Sequence, residues 1–170
     1  TKQQKYNTYP DYWSSKLANK IIEQNGKVDL IYSANTISHI KNLSEVFKAI
    51  NLVLNENGIL ILEDPSLLEC LNRNTYDQFY NEHIYVFSTI ALENILKKHN
   101  LEIFKINKLN VHGGSNRYFI KKKNNDIKTD ISVIKHKKEE LKKGLNKLSC
   151  YKKFAVRVKD SKKELIKIFN

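Results

Sequence analysis

Apolar residues recur along the chain in two patterns, one typical of helices and one typical of buried strands. Helical spacing places Leu17, Ile21 and Ile22 on one face before a turn at Asn25 and Gly26. A longer helical face follows, and Asn57 with Gly58 is its predicted end. Its apolar positions are Leu43, Val46, Phe47, Ile50, Val53 and Leu54.

Two continuous apolar runs predict buried strands on either side of that longer helix. The first run is Val28 to Ser33, which leads into Ala34 and Asn35, and the second is Gly58 to Glu63, which ends before Pro65. A strand, a helix and a second strand in this order form a right-handed crossover whose strands pair in parallel. The pattern therefore predicts a doubly wound α/β sheet.

The second half of the chain predicts a hairpin and then helices alone. Ser88 is a predicted cap for a helix to about His99, with Leu92, Ile95 and Leu96 facing inward and Asn100 as its stop. Strands at Leu101 to Val111 and Asn116 to Lys121 join across Gly113 and Gly114, and we expect them to add an antiparallel edge hairpin. We divide the chain into a sheet domain, residues 1–123, and a helical segment, residues 124–170.

Charge changes the interpretation of the last third only. The formal net charge is +12, and 17 of the 30 Lys and Arg residues lie in residues 121–170 beside 6 of the 18 Asp and Glu residues. This segment has helical spacing, which favours solvated lysine faces of amphipathic helices. A nucleic-acid partner is disfavoured because the segment has few arginines and no stacking aromatic pattern. The apolar positions are Leu141, Leu145, Leu148, Phe154, Val158, Leu165 and Ile166.

Several classes of protein are disfavoured by what the chain lacks. Apolar runs such as Ile59 to Leu62 are too short to span a bilayer, and the first 25 residues are too polar for a secretory signal, so we expect a cytoplasmic protein without a membrane partner. Cys70 and Cys150 encode neither a disulfide framework nor a metal site. A chain without Met that begins at Thr1 is expected to be a fragment.

Candidate chemistry clusters after the two predicted parallel strands. Ligands of open α/β sheets bind at the carboxyl ends of strands, which nominates Ser33 to Asn35 and Glu63 to Ser66, with His39 close by. The connector YDQFYNEHIYVFS, Tyr76 to Ser88, adds a phenol, a carboxylate and an imidazole within four residues. The alternatives are a surface role for His39, an apolar lid for the connector, and a plain turn at Gly113. Motifs of kinases, GxSxG hydrolases and zincins are absent from the sequence.

Four segments together resemble the sugar C-methyltransferases that depend on S-adenosylmethionine (SAM) and methylate a carbon of nucleotide-linked keto-deoxysugars. The segments are DLIYSANTISHIKNL (Asp29 to Leu43), GILILEDPSLL (Gly58 to Leu68), YDQFYNEHIYVFS (Tyr76 to Ser88) and HGGSNRY (His112 to Tyr118). A weaker fifth segment, Glu140 to Leu165, is similar to the helical connector that precedes that family's C-terminal domain. The resemblance implies the later half of a class I, Rossmann-like methyltransferase sheet.

The resemblance also implies roles for individual residues. His83 would be the general base, Tyr80 and Glu82 its partners, and His39 a second imidazole of the site. The base would remove a proton beside a ketone, and the enolate would then attack the methyl group of SAM. No metal takes part. Ser33 and Asn35 would line the methyl-donor side, and the substrate-binding set would be Tyr76, His112, Gly113, Gly114, Ser115 and Arg117.

Three parts of the family design are expected outside this sequence: an N-terminal domain that binds zinc, the Gly-rich turn that holds SAM, and a C-terminal domain. Zinc is therefore expected only in the first of these, and the fragment alone is expected to bind SAM poorly. Two other hypotheses stay open. One is a methyltransferase of another small molecule or another atom. The other is a basic helical module, residues 121–170, that binds nucleic acid or acidic partners.

Overall fold

A computed structural model describes residues 7–169 as a four-stranded sheet with helices. The strands are β1 (Val28–Ala34), β2 (Leu54–Pro65), β3 (Leu101–Leu109) and β4 (Ser115–Lys122). Their order in the sheet is β1-β2-β4-β3. β1 and β2 are parallel, whereas β4 is antiparallel to both β2 and β3. The predicted parallel pair and the predicted antiparallel hairpin are both confirmed.

Six α-helices accompany the sheet in the described residues: α1 (Ser15–Asn25), α2 (Leu43–Val53), α3 (Leu67–Arg73), α4 (Thr89–Lys97), α5 (Ile131–Lys143) and α6 (Leu148–Phe169). Side-chain caps explain where several of them begin. Ser88 accepts a hydrogen bond from the backbone N–H of Ala91, which confirms its predicted role. Asn100 takes the left-handed conformation, φ +53°, just beyond the end of α4 at Lys97.

The helix after β1 ends earlier than its apolar spacing predicts. The stop expected at Asn57 and Gly58 is wrong, because α2 ends at Val53 and Leu54 is already extended. Leu54 is fully buried and pairs with Val28 of β1, so β2 begins there rather than at Gly58. Pairing and burial in the sheet outweigh the helical preference of a leucine that has the right spacing for either element.

The hydrophobic core lies on one face of the sheet. Side chains alternate along a strand, so Leu60 and Leu62 of β2 share a face with Tyr118 and Ile120 of β4. This face packs against α2 and α4, whose contributions to the same cluster are Val46, Phe47, Ile50, Leu92 and Leu96. On the opposite face, Leu30 and Tyr32 of β1 are 59% and 60% exposed.

The C-terminal helices differ in how they join this core. α5 packs on β3 and α4, and its buried residues are Val133, His136 and Glu140. No described residue of α6 is buried, and Leu165, a predicted apolar position, is half exposed. The helices themselves confirm the prediction for this segment. The proposed division of the chain at residue 123 stays a prediction.

Glu140 attaches α5 to the sheet domain through the start of α4. Its carboxylate is fully buried and accepts hydrogen bonds from the backbone N–H of Thr89 at 2.6 Å and of Ile90 at 3.0 Å. The first N–H groups of a helix have no partner within the helix, and its N-terminus favours negative charge. His136 adds a hydrogen bond between Nδ1 and the Thr89 hydroxyl at 2.9 Å. Glu140 therefore caps α4 from a helix far away in sequence.

We expect Glu140→Gln to lower the free energy of unfolding by about 1–3 kcal/mol. The NH₂ group of the glutamine would face the backbone N–H of Thr89 or Ile90, and neither group can accept a hydrogen bond from the other. Urea denaturation followed by circular dichroism measures the change. Glu139→Gln is the matched control, since Glu139 forms an exposed pair with Lys108 and its loss should cost about 0.5 kcal/mol or less. Equal stability of the two variants would contradict the capping role.

Candidate active site

Three segments converge at the carboxyl ends of β1 and β2. The first is a 3₁₀ turn, Ile37–His39, that follows β1. The second is the end of β2, where the N–H of Asn35 donates to the carbonyl of Glu63 at 2.8 Å. The third is the connector, residues 76–88, whose Tyr85 N–H donates to the carbonyl of Ser38 at 3.1 Å. The sheet topology predicted this meeting point correctly.

His83 has a defined tautomer in this arrangement. Its Nδ1 lies 2.8 Å from the carbonyl oxygen of Gln78, and its Nε2 lies 3.0 Å from the hydroxyl of Tyr80. A carbonyl can only accept a hydrogen bond, so Nδ1 carries the proton. Nε2 is therefore the basic nitrogen, and it accepts the hydrogen bond of the Tyr80 hydroxyl.

His39 and Tyr80 lie next to this imidazole. The rings of His39 and His83 are 4.9 Å apart in an edge-to-face arrangement, and the rings of Tyr80 and His83 are 4.1 Å apart. Tyr80 is 46% exposed, whereas both imidazoles are half-buried. The three predicted side chains thus form one cluster that stays open to a ligand from solvent.

Glu82 does not occupy the predicted position. We expected its carboxylate to orient the imidazole of His83, but the hydrogen bonds of this imidazole among the described residues go to Gln78 and Tyr80. The side chain of Glu82 is exposed. A backbone carbonyl orients His83 instead, because the tight turn after Gln78 brings that carbonyl back to the ring.

Ser33 and Asn35, the predicted methyl-donor side, lie at the end of β1. Asn35 takes the left-handed conformation, φ +49°, and is exposed. A cleft of about 240 Å³ opens beside Ser33 and Thr36, and Trp13, Ile31 and Ile37 are among its apolar walls. Since ligand pockets usually enclose about 300–1,000 Å³, the cleft fits part of SAM rather than all of it. The hydroxyl groups of Ser33 and Thr36 at this apolar cleft suit the polar atoms and the apolar ring of that cofactor, whereas Asn35 is not among the lining residues.

The predicted substrate-binding residues are divided between two places. The turn at His112, Gly113 and Gly114 lies against the segment that leads to Tyr76, because a Cβ on Gly113 would meet Thr75 at 3.0 Å. Tyr76 and His112 are exposed at this junction. The turn and Tyr76 are therefore neighbours, as a shared binding surface requires.

Ser115 and Arg117 are engaged within the fold. The Ser115 hydroxyl is buried and donates to the carbonyl of Val111 at 3.2 Å. Arg117 forms an ion pair with Glu63 on the neighbouring strand. By alternation, Arg117 points to the sheet face opposite to Asp64 and Asn116. Burial and the hydrogen bond to Val111 do not support a direct contact between Ser115 and the substrate.

Asp64, Ser38 and Asn116 form a buried polar group beside the imidazoles. The hydroxyl of Ser38 donates to Oδ1 of Asp64 at 2.5 Å, and all three side chains are fully buried. Burial raises the pKa of Asp64 to about 6, although the hydrogen bond from Ser38 and the charge of His83 oppose that rise. The sequence placed Asp64 at a strand end, but Ser38 and Asn116 carried no signal beyond their positions next to His39 and Ser115.

No helix in residues 7–169 is long and apolar enough to cross a membrane. In the same residues, no three His, Cys, Asp or Glu side chains gather as ligands for a metal ion.

Comparison with known proteins yields two family matches. Residues 2–106 match the family described as a methyltransferase domain, and residues 110–170 match the C-methyltransferase C-terminal domain. C-methyltransferase NovU of Streptomyces niveus is 27% identical over 163 residues, which cover 94% of this chain and 39% of NovU. The chain thus spans about two fifths of the length of that relative.

Solved structures of methyltransferases are also similar. A SAM-dependent methyltransferase from Anabaena variabilis is 14% identical with a TM-score of 0.49, covering 66% of this chain and 56% of its own. Another from Clostridium acetobutylicum is 20% identical with a TM-score of 0.44, covering 63% and 70% respectively. The match over residues 2–106 decides the assignment, and the chain belongs to the methyltransferase-domain family.

Proposed function

We propose that the protein transfers a methyl group from SAM to a carbon of a small molecule, and that this molecule is a nucleotide-linked keto-deoxysugar. The observation that carries the proposal is the geometry of His83, whose Nδ1 donates to Gln78 while Nε2 stays basic beside Tyr80. Methyl transfer to a carbon beside a ketone needs a base, because the C–H bond of that carbon must break before it becomes nucleophilic. The family matches and the relative named a C-methyltransferase support the same reaction.

His83 removes the proton in the first step. Nε2 takes the proton from the carbon beside the ketone, and the electrons of the C–H bond form the enolate. Nδ1 keeps its hydrogen bond to Gln78 throughout, so the ring holds its orientation as it becomes positively charged. The enolate carbon then bonds to the methyl group that SAM supplies on its positively charged sulfur, and the C–S bond breaks. Alignment of the two carbons supplies much of the rate.

Neighbouring donors stabilise the oxygen of the enolate. His39 lies against His83, and the Tyr80 hydroxyl already lies 3.0 Å from Nε2. A substrate that reaches Nε2 displaces this hydroxyl, which is then free to donate to the enolate oxygen. Hydrogen-bond donors held in place at a developing oxyanion lower the barrier without reorganisation.

The substrate class rests on the motifs and on where their residues lie. The segments HGGSNRY and YDQFYNEHIYVFS, which resemble those of sugar C-methyltransferases, become neighbours through the contact of Gly113 with Thr75. Tyr76 and His112 are exposed there and can hydrogen-bond a sugar or phosphate group. This surface adjoins the connector that carries His83, so one extended ligand can reach both.

We expect His83→Ala in the full-length protein to lower kcat for methyl transfer by about 10²–10⁴-fold, the usual contribution of a general base. Transfer of radiolabelled methyl from SAM to a keto-deoxysugar nucleotide measures the change. His99→Ala is the matched control, because His99 lies beyond α4 and contacts Ser44 instead of the connector. Unchanged turnover of His83→Ala would remove His83 from the role of base.

An enolate intermediate also predicts hydrogen exchange at the substrate carbon. In D₂O with S-adenosylhomocysteine in place of SAM, the protein should exchange hydrogen for deuterium at the carbon beside the ketone, because proton removal precedes methyl transfer. Mass spectrometry of the recovered sugar nucleotide measures the exchange, and His83→Ala should abolish it. Methyl products on oxygen or nitrogen would contradict the C-methyl proposal and support a methyltransferase of another class.

A further inference from the structure

A carboxylate that has no role in the steps above is buried at the end of β2. Asp64 is fully buried, and only its Oδ1 has a partner among the described residues, the Ser38 hydroxyl at 2.5 Å. Its Oδ2 is buried without a hydrogen-bond partner. An ionised carboxylate in such a place is costly unless a positive charge or a donor compensates it.

The residue across from Asp64 does not compensate it. Asn116 of β4 is its partner in the strand register, and the Asn116 amide nitrogen donates to Ser66 and Tyr118. Oδ1 of Asn116 is likewise buried without a partner. Oδ2 of Asp64 and Oδ1 of Asn116 therefore lie on the same face of neighbouring strands, and both are hydrogen-bond acceptors. They can form a hydrogen bond with each other only if Asp64 is protonated.

Ser38 connects this carboxylate to both imidazoles. Its hydroxyl donates to Asp64, and its carbonyl accepts the N–H of Tyr85, which lies two residues beyond His83. Ser38 also directly precedes His39 in the 3₁₀ turn. One serine therefore joins the end of β2, the turn of His39 and the connector of His83.

We propose that Asp64 is a positioning residue for methyl transfer, which holds the turn of His39 through Ser38 and compensates the positive charge that forms on His83. This inference rests on the proposed function. The proposed role explains why this position holds an aspartate. An asparagine would fill the same space, and its amide nitrogen could donate to Oδ1 of Asn116. The interaction of Asp64 with His83 also lowers the pKa of the carboxyl against the effect of burial, as a nearby cation does.

Asp64→Asn separates the charge from the shape. The variant amide oxygen can still accept from Ser38, and its nitrogen can donate to Oδ1 of Asn116, so the variant should fold. We expect kcat for methyl transfer to fall by about 10–100-fold with KM nearly unchanged, since the lost interaction acts on an ion that forms during the reaction. Asp29→Asn is the matched control, because Asp29 lies near the other end of the sheet and contacts Asn55.

Ser38→Ala tests the link. It removes the tie between the carboxylate and the turn of His39, and we expect a lower kcat here as well. Because both groups act through one contact, the double variant should lose less than the product of the two single losses. Fully multiplicative losses would show that Asp64 and Ser38 act independently and would overturn the positioning role.

Stability gives a check that does not depend on turnover. The pKa of Asp64 in the folded protein is about 6, above its ordinary value of 3.8, so protonated Asp64 stabilises the folded state. This contribution is complete below about pH 3.8 and is lost as the pH rises through about 6. The titratable groups that interact with Asp64 are His83 on the connector and Tyr118 on β4. The urea midpoint of Asp64→Asn relative to wild type should therefore rise between pH 4 and pH 7.

Histidine NMR supplies the deciding readout. In ¹⁵N-histidine-labelled protein, Asp64→Asn should shift the ring resonances of His39 and His83 and leave those of His99 in place. A folded Asp64→Asn variant with wild-type kcat and unshifted rings overturns the inference. Wild-type protein that methylates no carbon overturns the proposed function instead, and shifted rings would then still support the contact of Asp64 with the imidazoles.

Discussion

The pairing of β2 with its two neighbouring strands sets the positions of the polar groups at the carboxyl ends of β1 and β2. Parallel pairing with β1 brings Ala34 beside Glu63, and antiparallel pairing with β4 brings Asn116 beside Asp64. Each pair stands at the edge of the sheet where the strands end and the chain turns away. Backbone groups there are no longer all used by the ladder, so polar side chains and loop backbones can meet.

Two buried carboxylates hold the loops and helices around this edge, and they do so in different ways. Glu140 is satisfied by the backbone donors of α4, which makes it a structural cap. Asp64 has only one of its oxygens satisfied, by the residue before His39, and it interacts with the charge of His83. Hydrogen bonds to a buried charge offset its desolvation, whereas an incompletely satisfied buried charge costs free energy. The difference in hydrogen bonding thus separates the two roles.

The pair of His83 and Tyr80 shows how a short connector can build chemistry without a neighbouring carboxylate. Residues 76–88 contain little regular structure, yet the carbonyl of Gln78 selects the tautomer of the imidazole. A backbone carbonyl orients the ring without adding a charge, so the charge that compensates a protonated His83 must come from elsewhere. Asp64, on the adjacent strand end, is in a position to supply it.

Local pattern was enough to predict the α/β fold, the hairpin and the cap at Ser88, because spacing and turn residues act over short distances. The roles predicted for His39, Tyr80 and His83 came from the resemblance of their motifs, and the structure brings the three rings together. Local pattern failed for the end of α2 at Val53, where pairing with β1 takes Leu54 into the sheet. Tertiary structure alone decided that Gln78 rather than Glu82 orients His83, and that Asp64, Ser38 and Asn116 meet in the interior. Such contacts join residues distant in sequence, and no periodicity records which polar group a fold will bury beside another.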